Sequence, residues 1–493
     1  GLRDAYMARV PVIALAGGRL KETRYRAPYQ ELEDIGTFDH VTKFNATVET
    51  IDRLPDMLRQ AIREVTSGCP APAHLELGGL LGNMTFEELE DDNIIEPRFS
   101  QTPSFRPSAE PEDIANIVNE LSAAQRPVIV AGGGIKSSGA QAELVEFAQK
   151  RQIPVATSMN AKGAIPENDP LSVGVVGQYS RECANRVVEE ADLVFYIGSM
   201  TGGQVTNHWQ SPAIGKKVIQ ADIDPHWLGR NYPNVASACG DAKAVLGQLL
   251  VASEKSHGNP EWLQRTREIV GDWEQHFEAY RSSDATPVRP ERILREVSNY
   301  LPDDAIFVCD TGHAGMWSAQ FVELTSPNQK FLRAAGSLGW GFPAALGAKC
   351  GCPDRPVFAF TGDGGFYYHL TELETAKRHG INTVTIVNNN EGLNQETPLW
   401  ERPEGDESLF HHWRFEGINF AKIAQEMGCF GIRVTDPSKI AEALDQAVAS
   451  HLPAVVEIMS DVKAMAPSAW APEVAGPGGY AVNPLDVEVD NEV

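Results

Sequence analysis

The sequence predicts an α/β protein built of three consecutive domains, each with a parallel sheet. Two observations carry this prediction. Short apolar runs that end in glycine or asparagine alternate with amphipathic helical segments along most of the chain, as in parallel sheets with helical crossovers. At 493 residues and 42% hydrophobic, the chain can bury two or three cores of ordinary size. A single domain is therefore not expected.

Charge and cysteine content limit the partners and the compartment. The formal net charge of -25 would repel nucleic acid and anionic membranes, so neither is expected to bind. No apolar run reaches the roughly 18 residues of a membrane span. The seven cysteines, an odd number without a CxxC pair, favour reduced thiols in a cytoplasmic protein.

The clearest element is a βαβ unit in the last third of the chain. The pattern predicts an apolar strand at residues 357–361, a glycine turn at 362–365 and then an amphipathic helix. A second strand at 383–387 and a run of three asparagines at 388–390 follow the helix. Gly380 is expected to end the helix.

Polar residues follow both strands of this unit. Asp363 follows the first and Asn390 the second, and the carboxyl ends of neighbouring parallel strands meet at one edge. A carboxylate with amide and carbonyl oxygens suits Mg²⁺ or Ca²⁺ and suits zinc poorly. Gly364 and Gly365 allow backbone N–H groups to approach phosphates at the start of the helix. The residues themselves therefore predict a magnesium-bridged diphosphate.

The same residues carry a family resemblance. Gly362-Asp363-Gly364 followed by the asparagine run resembles the thiamine diphosphate motif of the acetolactate synthase, pyruvate decarboxylase and pyruvate oxidase superfamily. The resemblance implies thiamine diphosphate anchored through Mg²⁺, with Asp363, Asn390 and the carbonyl of Gly392 as metal ligands. Either half of the motif alone would suggest only a strand-ending turn or a polar loop.

The rest of the third domain, residues 291–475, extends the resemblance. A strand at 305–309 leads into a loop expected to contact the diphosphate, where His313 is a candidate for diphosphate or substrate contact, with capping or packing as the alternative. Leu338 stands where the family has an apolar residue that wedges under the thiamine. The cofactor-binding residues implied by the resemblance are Asp310, Thr311, Gly312, His313, Gly336, Leu338, Gly362, Gly364, Gly365, Asn390, Gly392 and Leu393.

The first domain, residues 1–95, resembles the last half of the family's pyrimidine-binding domain. Strands at 10–16 and 73–77 and a helix at 54–66 are predicted. By the resemblance, Gln30 is expected to reach the active site, whereas Lys43 could equally be a solvated helix charge. The chain starts without an initiator Met and reads as cut in mid-domain. The glutamate that activates the cofactor in this family is therefore expected outside this sequence.

The central domain, residues 113–252, lies between a linker at 96–112 and a connector at 253–290. Its strands are predicted at 127–131, 155–157, 193–197 and 218–223. The glycines at 132–134 turn the chain toward a helix expected after Ser138, and a tight connection is favoured over a nucleotide site. An acidic tail is expected at 476–493.

The central domain resembles the one that binds FAD in acetolactate synthases and oxidases. Those synthases follow the third predicted strand with Gly-x-Arg-Phe-Asp-Asp. Residues 198–203 lack the arginine and both acids, which weighs against FAD without excluding it and weakens identity with a true acetolactate synthase.

The predicted function is a thiamine diphosphate- and Mg²⁺-dependent enzyme acting on a 2-oxo acid or related ketone. Cleavage or formation of a C–C bond is implied, with Gln30, His313 and Leu338 as the residues at the reacting centre, and with a homodimer or homotetramer as the assembly. The alternative is a catalytically silent homologue or fragment that binds the cofactor but lacks the activating glutamate. A nucleotide-binding protein using the 132–134 turn is a third interpretation.

Overall fold

The structure is a computed structural model. It describes residues 1–18, 20–23, 25–27, 29, 35–78, 95–255, 257–396 and 411–472. The described strands form three sheets, in which every pairing is parallel, so the predicted fold class is confirmed. Gln30, residues 397–400 and the acidic tail lie outside the described residues.

The first sheet has three strands in the order β1-β3-β2. The elements are α1 (Leu2–Ala8), β1 (Ile13–Gly17), α2 (Ile35–Phe38), β2 (Phe44–Val48), α3 (Leu54–Thr66) and β3 (Ala73–Leu77). The helix and the last strand match their predicted bounds, and β2 was not predicted.

Lys43 does not lie on a helix, which corrects one of its two interpretations. It precedes β2, and its Nζ donates to the carbonyls of Ser67, at 2.5 Å, and Cys69, at 3.2 Å. These carbonyls follow the end of α3, where a cation is favourable.

The second sheet has six strands in the order β6-β5-β4-β7-β8-β9. Its elements are α4 (Pro111–Ala123), β4 (Pro127–Ala131), α5 (Gly133–Ser138), α6 (Gln141–Arg151), β5 (Val155–Thr157), β6 (Ser172–Val175), α7 (Glu182–Glu190), β7 (Leu193–Ile197), β8 (Lys217–Asp222), β9 (Asn234–Cys239) and α8 (Ala242–Ala252). The predicted strands are present, one of them shifted by one residue, and β6 and β9 are additional.

The helix expected after Ser138 is α6, which begins at Gln141, and an additional short helix, α5, begins within the glycine run itself. A Cβ on Gly134 would lie 2.7 Å from the Cα of Gly198. The missing side chain therefore lets α5 start directly against the end of β7, a contact between distant segments that a local pattern cannot show.

The third sheet also has six strands, in the order β11-β10-β12-β13-β15-β14. After the connector helix α9 (Pro260–Arg281), its elements are α10 (Pro290–Tyr300), β10 (Ile306–Cys309), α11 (His313–Phe321), β11 (Lys330–Arg333), α12 (Gly341–Gly351), β12 (Val357–Gly362), α13 (Asp363–His369), α14 (Glu372–His379), β13 (Val384–Asn389), α15 (Phe420–Glu426), β14 (Phe430–Val434), α16 (Ile440–Ala449) and β15 (Ala454–Met459).

The prediction of a single helix after the glycine turn is wrong. The chain forms two helices, α13 and α14, and the first already begins at Asp363. Thr371 and Glu374 form a Thr-x-x-Glu sequence typical of a helix start, although the Thr371 side chain makes no capping hydrogen bond. Gly380 ends the second helix with φ 64°, as predicted.

Apolar strands lie near the centre of the two six-stranded sheets, as expected where helices cover both faces. Strands β7 and β10 are buried along their whole length. Among the described residues, no helix combines the length and apolar composition that a membrane crossing requires.

Candidate active site

Three neighbouring strands of the third sheet end at one edge and bring the predicted site residues together. Asp310 follows β10, Asp363 follows the last residue of β12, and Asn390 follows β13. Because these strands are adjacent and parallel, their carboxyl ends form a common edge, where ligands bind in open α/β sheets. The predicted convergence of Asp363 and Asn390 at this edge is therefore what the structure shows.

Asp363 and Asn390 meet at one backbone group. Oδ2 of Asp363 accepts a hydrogen bond from the Gly392 N–H at 3.0 Å, and Oδ1 of Asn390 accepts from the same N–H at 3.2 Å. Oδ1 of Asp363 accepts from the Gly364 N–H at 2.8 Å. Both side chains are buried. The turn after β13 thus draws an amide oxygen and a carboxylate into one small region.

The burial and the charged surroundings of the Asp363 carboxylate are compatible with a bound cation. Burial raises the pKa of its carboxyl to about 7, and the hydrogen bonds from Gly364 and Gly392 offset only part of that effect. Within the described ranges, no lysine, arginine or histidine forms an ion pair with it. Arg414 is instead 3.5 Å from Glu391. A buried carboxylate without a counterion, beside an amide oxygen, is an oxygen site that suits Mg²⁺.

Two glycines allow the first turn of α13 to pack against its surroundings. A Cβ on Gly364 would lie 2.4 Å from Cδ2 of Leu393, and one on Gly365 would lie 2.7 Å from Oδ2 of Asp310. Leu393 is fixed in turn, because its N–H donates to the carbonyl of Trp413 at 2.8 Å. Gly362 is different, since a Cβ there would meet nothing within 4 Å.

Asp310 links the loops of this edge. Its Oδ1 accepts from the N–H groups of Thr311, at 2.7 Å, and Gly339, at 3.0 Å. Its Oδ2 accepts from the Thr361 hydroxyl at 3.0 Å. Burial raises the pKa of Asp310, and these hydrogen bonds oppose the rise. The carboxylate therefore positions the loop of Leu338 against the end of β12.

Leu338 is half-buried in a loop that is held on both sides. After it, Gly339 donates to Asp310 with φ 87°, a value that favours glycine. Before it, the Ser337 hydroxyl donates to Oδ1 of Asp4 at 2.9 Å, and the Ala335 N–H donates to Oδ2 at 3.2 Å. A residue of α1 thus anchors this loop. Gly336 is exposed, with φ 141°.

His313 is buried at the start of α11, directly after Gly312, whose φ is 71°. Its Nδ1 lies 2.7 Å from Oδ1 of Asn394, and Trp317 packs against the ring edge. Burial lowers the pKa of His313 to about 4. The structure thus places this histidine beside the loop that follows Asn390, on which Asn394 lies.

Sequence reasoning missed Asp4, Thr361 and Asn394, which hold predicted site residues or their chain neighbours in place. Their partners are 333, 51 and 81 residues away along the chain. The only available signals were the polar residue types, which many surface loops share. The ligand roles of the predicted residues stay predictions, and Gln30 lies outside the described ranges.

A separate cavity of about 700 Å³ lies where the three domains meet. Central-domain residues on its wall include Gly133, Gly134 and Asp222, and β11 contributes all four of its residues. Burial raises the pKa of Asp222 to about 6. The loop after β7, which departs from the Gly-x-Arg-Phe-Asp-Asp pattern, also lines this cavity.

Comparison with known proteins agrees with this architecture. Residues 114–249 match the family described as thiamine pyrophosphate enzyme, central domain. Residues 310–458 match the family described as thiamine pyrophosphate enzyme, C-terminal TPP binding domain. The second match contains Asp310, Asp363 and Asn390, so the fold and the site define a thiamine pyrophosphate enzyme.

Relatives that align with nearly the whole chain identify the family within this class of enzymes. A probable acetolactate synthase large subunit of Methanocaldococcus jannaschii is 31% identical over 503 residues, covering 99% of this chain and 83% of that protein. The acetolactate synthase large subunit of Lactococcus lactis is 26% identical, covering 93% and 78%. A putative thiamine pyrophosphate-containing protein of Bacillus subtilis is 28% identical, covering 93% and 77%. The chain belongs to the acetolactate synthase-like family of thiamine pyrophosphate enzymes.

Proposed function

We propose that the protein is a thiamine diphosphate- and Mg²⁺-dependent lyase or transferase that cleaves or forms a C–C bond beside the ketone of a 2-oxo acid. The observation that carries the proposal is the meeting of Asp363 and Asn390 at the Gly392 N–H, at the start of a helix. Carboligation is favoured because two of the relatives described above are named as acetolactate synthases or probable ones.

The residues at this edge have distinct tasks in the proposal. Asp363, Asn390 and the Gly392 carbonyl hold Mg²⁺, and the first turn of α13 directs N–H groups toward the diphosphate. Leu338 would contact the cofactor. When bound, thiamine diphosphate would supply a nucleophilic carbon and an acceptor for the electron pair released when a C–C bond breaks. The protein orients the reactants and keeps water from this centre.

FAD is not included in the proposal. Met200, Gly202 and Gly203 stand where the FAD-binding pattern of the acetolactate synthases has arginine and two acids. These residues offer neither the charge nor the hydrogen-bond acceptors of that pattern.

Self-association as a homodimer or homotetramer is also proposed. In support, β1 lies at an edge of the three-stranded first sheet and leaves Leu15 57% exposed. Light scattering on the purified protein at micromolar concentration tests this point. A monomer with full activity would contradict it.

The test of the function is calorimetric titration with thiamine diphosphate, with and without Mg²⁺. A panel of 2-oxo acids is then assayed for CO₂ and for ligated products, using the protein as produced from its natural gene. Mg²⁺-dependent binding with turnover of at least one oxo acid is expected. Binding without turnover would favour the silent homologue, and no binding would refute the proposal.

A further inference from the structure

The cavity between the domains carries an excess of positive charge. Its lining cations are Arg9, Lys136, Lys330 and Arg333, and its lining carboxylates are Asp222 and Asp241. Arg106 lies 3.0 Å from the carboxylate of Asp241 and forms an ion pair with it. An occupant with a negative charge is therefore favoured over a neutral one.

Arg333 is the last residue of β11, and all of its protein partners are neutral. Its Nε donates to the Ala334 carbonyl at 2.6 Å. Its Nη1 donates to Oε1 of Gln204 at 3.0 Å and to the Met159 sulfur at 3.2 Å. In the part of the chain that the structure describes, no carboxylate forms an ion pair with it. Removal from water lowers the pKa of this partly buried guanidinium, because no counterion among the described residues is paired with it to offset the lost hydration.

The position of Arg333 joins the cavity to the diphosphate edge. On the sheet, Arg333 is the register partner of Cys309, the residue that precedes Asp310. A Cβ on Gly315, in the first turn of α11, would lie 3.6 Å from both Met159 and Tyr179. These two side chains line the cavity next to Arg333, so one layer of side chains separates the guanidinium from the helix that starts at His313.

Gln204 holds the guanidinium in a defined orientation. Its Oε1 and the Met159 sulfur accept from Nη1, and the Ala334 carbonyl accepts from Nε, which leaves Nη2 without a hydrogen bond to any described residue. Nη2 is therefore free to donate a charge-assisted hydrogen bond to a carboxylate oxygen. A lysine at this position would supply a point charge without the contacts that orient the guanidinium.

We propose that Arg333 binds the carboxylate of the 2-oxo acid and so determines the specificity of the reaction for acids over neutral ketones. This inference rests on the proposed function for the identity of the substrate. Arg333 is a substrate-binding residue that the family resemblance did not identify, and it ends β11 at the sheet edge where Asp310 follows β10.

The test uses oxamate, a non-reacting isostere of a 2-oxo acid, and oxamide, its neutral counterpart. Both are titrated calorimetrically into the protein, with and without thiamine diphosphate and Mg²⁺. Wild-type protein is expected to bind oxamate about tenfold or more tightly than oxamide, and Arg333→Met is expected to lose that preference. Lys330→Met is the matched control, because it removes a cation from the same strand and the same cavity. It should keep the preference.

Steady-state kinetics of the enzyme provide the second measurement. For an oxo acid that the wild type converts, Arg333→Met should raise KM about tenfold while kcat and the affinity for thiamine diphosphate stay near wild type. Unchanged oxamate binding, an unchanged KM, or equal losses in both variants would overturn the proposal. If Arg333→Met does not fold, Arg333→Lys serves instead. Its oxamate affinity should be at least about threefold lower, and an equal affinity would contradict a specific role of the guanidinium.

Failure of the proposed function has a different signature. If the proposed function is wrong, the wild type will not bind thiamine diphosphate or will not convert an oxo acid. The comparison of oxamate with oxamide would still show whether Arg333 binds a carboxylate.

Discussion

The Nδ1 atom of His313 faces the side-chain oxygen of Asn394 at 2.7 Å, and this contact fixes the state of the ring. Nδ2 of Asn394 donates to the carbonyls of Val462, at 3.2 Å, and Ala464, at 3.1 Å, so its Oδ1 must face the histidine. An amide oxygen only accepts, so Nδ1 carries the hydrogen and Nε2 of the neutral ring is an acceptor. His313 can therefore receive a proton at Nε2 or orient a donor there.

The first prediction concerns pH. The pKa of His313 is about 4 in the folded protein, against an ordinary value of 6.5. Between these values the unfolded chain binds more protons, so stability falls as pH drops from 6.5 to 4. At about 1.4 kcal/mol per pKa unit, the loss is on the order of 3 kcal/mol. Thermal unfolding midpoints measured across this range should fall more steeply for wild type than for His313→Gln.

The matched control for this prediction is His369→Gln, which replaces an exposed histidine at the end of α13. Its pH profile should follow that of the wild type. Parallel profiles for wild type and His313→Gln would show that the ring is protonated in the folded state, contrary to the prediction.

The second prediction concerns the buried carboxylate. Asp363→Asn removes the one charged oxygen donor at the predicted metal site, so Mg²⁺-dependent affinity for thiamine diphosphate should fall about tenfold or more. The measurement is calorimetric titration. A thermal shift offers a second readout, because ligand at 100 times its Kd stabilises by about 2.7 kcal/mol.

Asp303→Asn is the control for this prediction, since Asp303 is exposed before the amino end of β10, at the opposite edge of the sheet. Its titration should match that of the wild type. Equal affinities for wild type and Asp363→Asn would place the metal elsewhere.

The third prediction concerns close packing at the start of α13. In Gly365→Ala the new methyl would lie 2.7 Å from both Oδ2 of Asp310 and Oγ1 of Thr361, so their hydrogen bond must break. A loss of about 1–3 kcal/mol of stability is expected from such overpacking. Gly347→Ala is the control, because that α12 position has open space within 4 Å and alanine favours helix. Differential scanning calorimetry distinguishes the two, and an equally stable Gly365→Ala protein would contradict the packing argument.

The sheets could be predicted because the sequence patterns that indicate their strands are local. Runs such as 127–131 and 193–197 are apolar and are followed by glycine, and the chain direction of a parallel strand places its last residue at the ligand-binding edge. Asp363 and Asn390 could therefore be placed together from the sequence. The helix start at Asp363 could not, because it depends on contacts of Gly364 and Gly365 with Leu393 and Asp310.

The residues that support the site could not be predicted from the sequence, for a related reason. Asp4 anchors the loop of Leu338 from the first domain, and Gln204 holds Arg333 from the central domain. Each pair joins segments that no local pattern connects, and polar residues of these types are common on surfaces. Only the folded chain shows that they are paired.

The last prediction concerns a buried ion cluster that holds α11 from its carboxyl end. Glu167 accepts hydrogen bonds from Lys162 and, at 2.6 Å, from Arg181. The two cations also donate to the carbonyls of Ala319, at 3.2 Å, and Gln320, at 2.7 Å, in the last turn of α11, where positive charge is favourable. Glu167→Gln leaves both buried cations without their counterion.

A loss of about 3–5 kcal/mol is expected from breaking such a buried pair. Glu182→Gln breaks the exposed pair of Glu182 with Arg186 and should cost at most about 1 kcal/mol. Chemical denaturation of both variants gives the comparison. Because α11 begins at His313, Glu167→Gln should also weaken thiamine diphosphate binding, although it touches no predicted cofactor ligand. Equal stability of the two variants would show that the cluster does not anchor the helix.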